Sequence, residues 1–291
     1  DENIGQVTIT RDTTIDLNGH TLTISKDHQC FVVQYGAKLT IMDSSDSIQD
    51  TKSTVTGNVC GNKATLENDI LTYYITKSTA NGTSTTETLI EHKVPLANAG
   101  KILCKEGSDQ VIKVENGGTL ELKSGVLQGT GVRHIVYVDD GTLNMTGGYI
   151  VGGGSEGTPG GGIYVDNGTL NISGGVIAAN RGSSGGGIFF QNGTLNISGG
   201  AVTGNEVING HSDNGGGIYV NSGTLNLSGG YVTNNYKACD CNDCQGDVNN
   251  THGGGGIALA NGSKMEMTGG YVTGNFSTLA GGGIYAGYYA G

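Results

Sequence analysis

The segment Thr-Leu-Asn-(Ile/Leu/Met)-(Ser/Thr)-Gly-Gly occurs four times, at 142–148, 169–175, 194–200 and 224–230. Looser copies are "TLELKSG" at 119–125 and "SKMEMTGG" at 263–270. Seven residues before the central Leu of each full copy stands an aliphatic anchor: Val136, Ile163, Ile188 and Ile218. Ile15, Val32, Ile112, Ile257 and Ile284 are read as the remaining anchors. A third segment follows the repeat as "VIAAN", "AVTGN", "YVTNN" and "YVTGN", ending at Asn180, Asn205, Asn235 and Asn275, and "TVTGN" ends at Asn58 in the same way. A chain of like units must give like residues like surroundings, so repetition constrains this fold more than any single motif.

Each unit holds three short runs of period two separated by Gly. In 163–180, Ile163, Val165, Leu170, Ile172 and Ile177 point one way, and Tyr164, Asp166, Thr169, Asn171 and Ser173 the other. One unit cannot bury its apolar side alone. Stacked about 4.8 Å apart, successive units enclose a narrow column of Ile, Val and Leu. The expected fold is all-β: a single-stranded parallel β-helix of about nine coils. Gly suits its tight corners, and Asn at a repeated corner tolerates the same backbone and can bond the next coil's amide.

The stretch "GGGIYVDNGTLNISGGVIAAN" resembles the right-handed parallel β-helix repeat of the pectin-lyase-like superfamily. More narrowly it resembles the repeats of polymorphic outer-membrane proteins and of surface proteins of gut bacteria. "TIDLNGHTLTIS" at 14–25 resembles their first coil. The resemblance covers the chain except about 59–110 and implies a right-handed solenoid, a hand that parallel crossovers also prefer. It does not fix an activity, because the superfamily holds lyases, hydrolases, adhesins and tailspikes. The acid, histidine and Arg-x-Lys signatures of its polygalacturonase members are missing.

Composition narrows the function. Gly numbers 55 but Pro only 2, without the three-residue period of collagen. A net charge of −11 argues against nucleic acid, whose binders need a basic stripe. No run of about 18 apolar residues provides a membrane span. Asp1 is not a natural start, and the last coil lacks a polar cap, so the chain is read as a piece of a longer protein.

Anchor spacings are 17, 80, 24, 27, 25, 30, 39 and 27 residues. The slack is expected between the Asn corner and the next "GGGI", with loops 206–214 and 236–253 and an excursion at 59–110 all leaving that one edge. Collected insertions commonly mark a binding edge. Within the excursion, "DILTYYITKS" and "TSTTETLIEHKV" read as a β-hairpin arm.

One position after the anchors stand Tyr137, Tyr164, Phe189 and Tyr219, an outward row suited to stacking on sugars or peptide, or on itself. Two positions further on come Glu115, Asp139 and Asp166. These are candidates for catalysis by a carboxylate pair, or for calcium, or a solvated trio. "CDCNDC" offers Cys239, Cys241 and Cys244, with His252 or His211 as a fourth zinc ligand, though disulfides or free thiols satisfy the same residues. Cys60 and Cys104 flank the excursion and are placed to bridge it. The expected role is an extracellular adhesin or binding module on a bacterial surface, or secreted, that takes a glycan or a host protein. The alternative is a polysaccharide lyase or glycoside hydrolase.

Overall fold

The computed structural model describes residues 2–4, 6–24, 31–45, 47–104, 108–155, 157–208, 214–238, 253–260, 262–278 and 281–287. Among these residues there is no helix, and parallel strands stack into a β-solenoid of about nine turns.

Coil 5 shows how the sequence makes one turn. Ile163–Ile172 supplies the first and second runs and Val176–Ala178 the third. Ile163, Val165, Leu170 and Ile177 are fully buried, while Tyr164, Asp166, Thr169 and Asn171 are half-buried and Ser173 is exposed. The anchors stack in register: Val136 faces Ile163, then Ile188, Ile218, Ile257 and Ile284 follow in line. Leu143, Leu170, Leu195 and Leu225 form a second file on the next strand. Each fully buried Ile or Leu contributes roughly 1.5–3 kcal/mol, and each needs the coils above and below to be buried.

The paired glycines of the repeat do two different jobs. A β-carbon on Gly174 would collide with the carbonyl of Thr146 one coil below. Gly175 turns the chain with φ of +83°, where other residues are strained.

The Asn corner is closed from within. Asn180, Asn205, Asn235 and Asn275 point into the solenoid, and each Nδ2 of the first three donates at 3.0 Å to Oδ1 of the next. The same Oδ1 atoms accept the backbone N–H of Asn180, Asn205 and Asn235 at 3.0–3.2 Å. A β-carbon on Gly217 would stand 2.7 Å from the Asn235 amide, so the third glycine of "GGGI" makes room for the asparagine. Two motifs far apart in the unit are therefore halves of one corner.

The first two coils differ from expectation. Ile112 faces Phe31, not Val32, and Phe31 faces Val7. Ile15 lies on a second strand opposite Ile41. "FVV" is apolar at all three positions, so alternation carried no register there.

The insertion also leaves from another corner. It runs from Asp43 to Gly100, between the second and third runs of coil 2, Lys38–Met42 and Lys101–Cys104. Its strands form a separate antiparallel sheet in the order Thr51–Val55, Ser84–Pro95, Ile70–Asn81, Thr65–Glu67. Residues 51–55 are thus part of the arm, and Asn58 is outside the Asn corner. The expected hairpin is present, with Asn81 opposite Ser84 across Gly82 and Thr83. It does not project. Leu71, Tyr73, Ile75 and Val94 pack onto Val126, Val151, Val176, Ala178 and Ala201 of the third solenoid face. Thr273 Oγ1 donates to the carbonyl of Thr76 at 2.7 Å, and Gly61 N–H donates to Gly274 at 2.7 Å. The arm therefore lies lengthwise from coil 3 to coil 8.

Asp43 pins both ends of the insertion. Its Oδ1 accepts the N–H of Gly19 at 2.9 Å and of Ser45 at 3.1 Å, and its Oδ2 that of Gly100 at 2.7 Å. Burial opposes its charge, but these bonds with the Ser45 hydroxyl outweigh burial and hold the carboxyl below its usual range. Cys60 and Cys104 are not joined to each other: Cys104 is buried in the column of coil 2, whereas the chain beside Cys60 is bonded to coil 8. No helix is long and apolar enough to cross a membrane among the described residues.

Candidate functional site

With the third face covered by the arm, the first strands of coils 3–6 offer an uncovered face rich in rings. Tyr137, Tyr164 and Phe189 stand one above the other, each opposite the next in register. Their centroids are 5.3 Å apart for Tyr137–Tyr164 and 4.9 Å for Tyr164–Phe189, the latter pair nearly parallel at 14°. All three are half-buried. Tyr219 continues the row at 5.2 Å from Phe189, but it is only 9% exposed and packs with Ala258 and Ala260. The accessible part of the row is thus three rings long, and the rings stack on one another while each stays partly exposed.

Below Tyr137 the row ends in Lys113, which occupies the same register position. Lys113 pairs with Glu115 and lies 3.9 Å from Asp139 Oδ2, with its Nζ 5.7 Å from the Tyr137 ring centre. Glu115 and Asp139 do face each other, as the sequence suggested. Their repulsion, about 1 kcal/mol at 4–5 Å in water, is offset by Lys113. Asp166 departs from the trio: a register shift sets Asp139 opposite Asn167. No group of three or more Asp, Glu, His or Cys is arranged to hold a metal among the described residues. The zinc candidates Cys239, Cys241, Cys244, His252 and His211 lie outside the described residues.

A cleft of about 380 Å³ opens at this lower end of the row, lined by Asp109, Gln110, Lys113, Arg133, His134, Tyr137, Pro159 and Tyr164. Gln110 and His134 face each other on adjacent coils, and because Val111 with Ile112 and Ile135 with Val136 all enter the core column, alternation breaks and positions 110 and 134 turn to the ringed side. On later coils that position is Gly161, Gly186, Gly216 and Gly255, and no such side chain is available. His134 packs at 5.0 Å from Tyr164 and 6.0 Å from Tyr137. Its Nδ1 lies 3.0 Å from the carbonyl of Gly160, which requires the ring proton on Nδ1 and leaves Nε2 as an acceptor. Burial drops its pKa from 6.5 to about 4, against the pull of the Gly160 hydrogen bond toward the charged ring. Tyr137 shifts the opposite way, to about 12, through burial and then the nearby charge of Asp139. At neutral pH this cleft therefore presents a neutral imidazole and two protonated phenols.

Arg133 reaches Asp109 at 3.5 Å on the outer rim. Sequence reasoning found Tyr137 and Tyr164 but passed over His134 and Gln110. The available signal was a pair of adjacent apolar residues, Val111-Ile112 and Ile135-Val136, which breaks the alternation just after a polar residue.

A second hollow of about 400 Å³ lies between the arm and the glycine corners, lined by Lys63, Leu66, Gly129–Gly131, Gly152–Gly154, Arg181 and Glu206. Glu206 is held there by Lys63 and by Arg181 at 3.5 Å, and Lys63 caps the Tyr236 ring at 4.1 Å. These groups satisfy each other and tie the arm to the solenoid. Compared with known proteins, the chain matched no family model, no curated protein and no solved structure.

Proposed function

We propose that this chain is an extracellular binding module of a bacterial surface or secreted protein, and that it recognises glycans with the face carrying Tyr137, Tyr164 and Phe189. The observation that carries the reading is the run of three rings at about 5 Å intervals beside a polar cleft. Sugar rings offer an apolar C–H face to an aromatic ring and hydroxyls to flanking polar groups, so such a run is suited to them. The resemblance of the repeat to pectin-lyase-like solenoids and to polymorphic outer-membrane protein repeats adds weight, as does the polar outer strand Thr169, Asn171, Ser173. A rigid stack of coils holds such groups in fixed geometry with little ordering cost on binding.

The competing reading is a carbohydrate-active enzyme using Glu115 and Asp139. A panel of immobilised oligosaccharides, run beside a product assay on the same sugars, separates the two. Binding without product is expected, with Tyr164→Ala and Phe189→Ala each weakening it at least fivefold, about 1 kcal/mol. Accumulating product that Asp139→Asn abolishes would replace this reading with the enzymatic one. Binding to a host protein but to no glycan would retain a module and change its ligand.

A further inference from the structure

We infer that the cleft at coils 3–5 is an end-on pocket for the terminal one or two residues of an uncharged glycan. This rests on the glycan-binding reading above and adds the ligand's charge, its length and the residues that grip it.

Length follows from where the row stops. Upward, Tyr219 is buried against Ala258 and Ala260. Downward, the register position after Tyr137 is Lys113, tied to Glu115 and Asp139. A chain lying along Phe189 and Tyr164 therefore passes from rings to the charged groups Lys113, Arg133 and Asp109 at its lower end. Three rings at coil spacing give a path of two intervals, about 10 Å, and the cleft's 380 Å³ is at the small end of ligand pockets. Both dimensions suit a terminal disaccharide.

Charge follows from the ions at the rim. Lys113 and Arg133 are both already paired, with Glu115 and Asp139 and with Asp109. Counting those three acids against two bases, the local balance is negative before Asp166 is added. A carboxylated or sulfated terminal sugar would face that surplus, so the pocket selects against it.

The grip comes from groups with unused hydrogen-bonding capacity. Gln110 is 5% exposed and His134 7%, and both line the cleft. The Gln110 side chain makes no hydrogen bond within the protein among the described residues, and the His134 ring is engaged by the Gly160 carbonyl, with that of Pro159 also near. Buried polar groups ordinarily find partners. Here sugar hydroxyls bridging the Gln110 amide would supply them, with the His134 ring alongside and Tyr137 and Tyr164 beneath the sugar.

The test uses matched oligosaccharides on one array: galactose- or N-acetylglucosamine-terminated chains, the same chains capped with sialic acid, and a length series of each. Uncapped chains should bind, capping should weaken binding at least tenfold, and affinity should stop rising beyond two sugars. His134→Gln and Gln110→Leu should each weaken binding at least tenfold with unchanged melting temperature, while Tyr219→Phe leaves it unchanged. His134→Gln conserves bulk, and Gln110→Leu provides a second route should the first variant unfold. Equal binding of capped chains, affinity that keeps rising with length, or binding insensitive to both substitutions would overturn the inference while leaving a glycan-binding face. Absence of any glycan binding would remove the underlying reading as well.

Discussion

Asn205 makes several hydrogen bonds from one side chain. Its Nδ2 donates to the Ile177 carbonyl at 2.9 Å and to Asn235 Oδ1 at 3.0 Å, while its Oδ1 accepts from Asn180 N–H at 3.2 Å and Nδ2 at 3.0 Å. It is completely buried. Asn205→Ala would leave the Ile177 carbonyl and the Asn180 N–H of the preceding coil unpaired, at about 1–3 kcal/mol for each group left without a partner. Asn205→Asp would keep the acceptors, remove the donors and place a charge in a buried corner. We expect urea melts to show Asn205→Ala less stable by about 3 kcal/mol and Asn205→Asp worse at neutral pH than in mild acid. A loss of a few tenths of a kcal/mol would show that the ladder is decoration. The repeated xxN was readable as a corner, but its direction was not. An outward Asn and an inward Asn have the same spacing, and only the glycine opposite, Gly217 beneath Asn235, shows that room was left inside.

At the scale of elements the arm is the informative piece. Its twelve-residue strands, Ile70–Asn81 and Ser84–Pro95, are long enough to form a hairpin locally, and the sequence showed that much. Nothing local said where the hairpin lies. Leu71 and Val94 are fully buried only because Val126, Val151 and Val176 turn outward beneath them. Those valines look, in the sequence, like any other short apolar run. Leu71→Ala should cost about 2–5 kcal/mol, and the cost should be local. Hydrogen exchange is the measurement: amides of 70–94 should lose protection while those of Ile163–Ile172 keep theirs. Equal loss in both would mean that arm and solenoid fold as one unit. The same packing explains why the insertion cannot serve as a free binding arm, and why the ringed first face is the one left open.

Across the whole molecule the stack is uniform in its core but uneven in its ionisable groups. The buried His134 sits in coil 4, and the hydrogen-bonded carboxyl of Asp43 in coil 2. His134 has a folded pKa of about 4, below the 6.5 of an exposed ring, so the unfolded chain takes up its proton first. Stability from this group is complete above pH 6.5 and is lost as pH falls toward 4. Asp43, also depressed, has its contribution in place above the usual carboxylate value of 3.8 and loses it as pH falls further. Acid should therefore loosen the early coils before the later ones. Hydrogen exchange from pH 7 down to about 4 should show protection declining first around 134–145 and last around 218–233. The His134→Gln protein should be flatter over the same range, and an identical slope in both would reject the assignment.

The sequence by itself determined the unit: which residues face the column, where the chain turns, and that like positions stand over one another. It could do so because period two and stacked repetition are local facts, written again in every coil. Tertiary structure alone decided the rest. It set the register of "FVV", moved Asp166 out of line with Asp139, laid the arm on the third face, and put Lys113 between two acids. Each of these depends on which groups meet across long separations. The energies that choose among the alternatives belong to pairs of segments, and no one segment carries them.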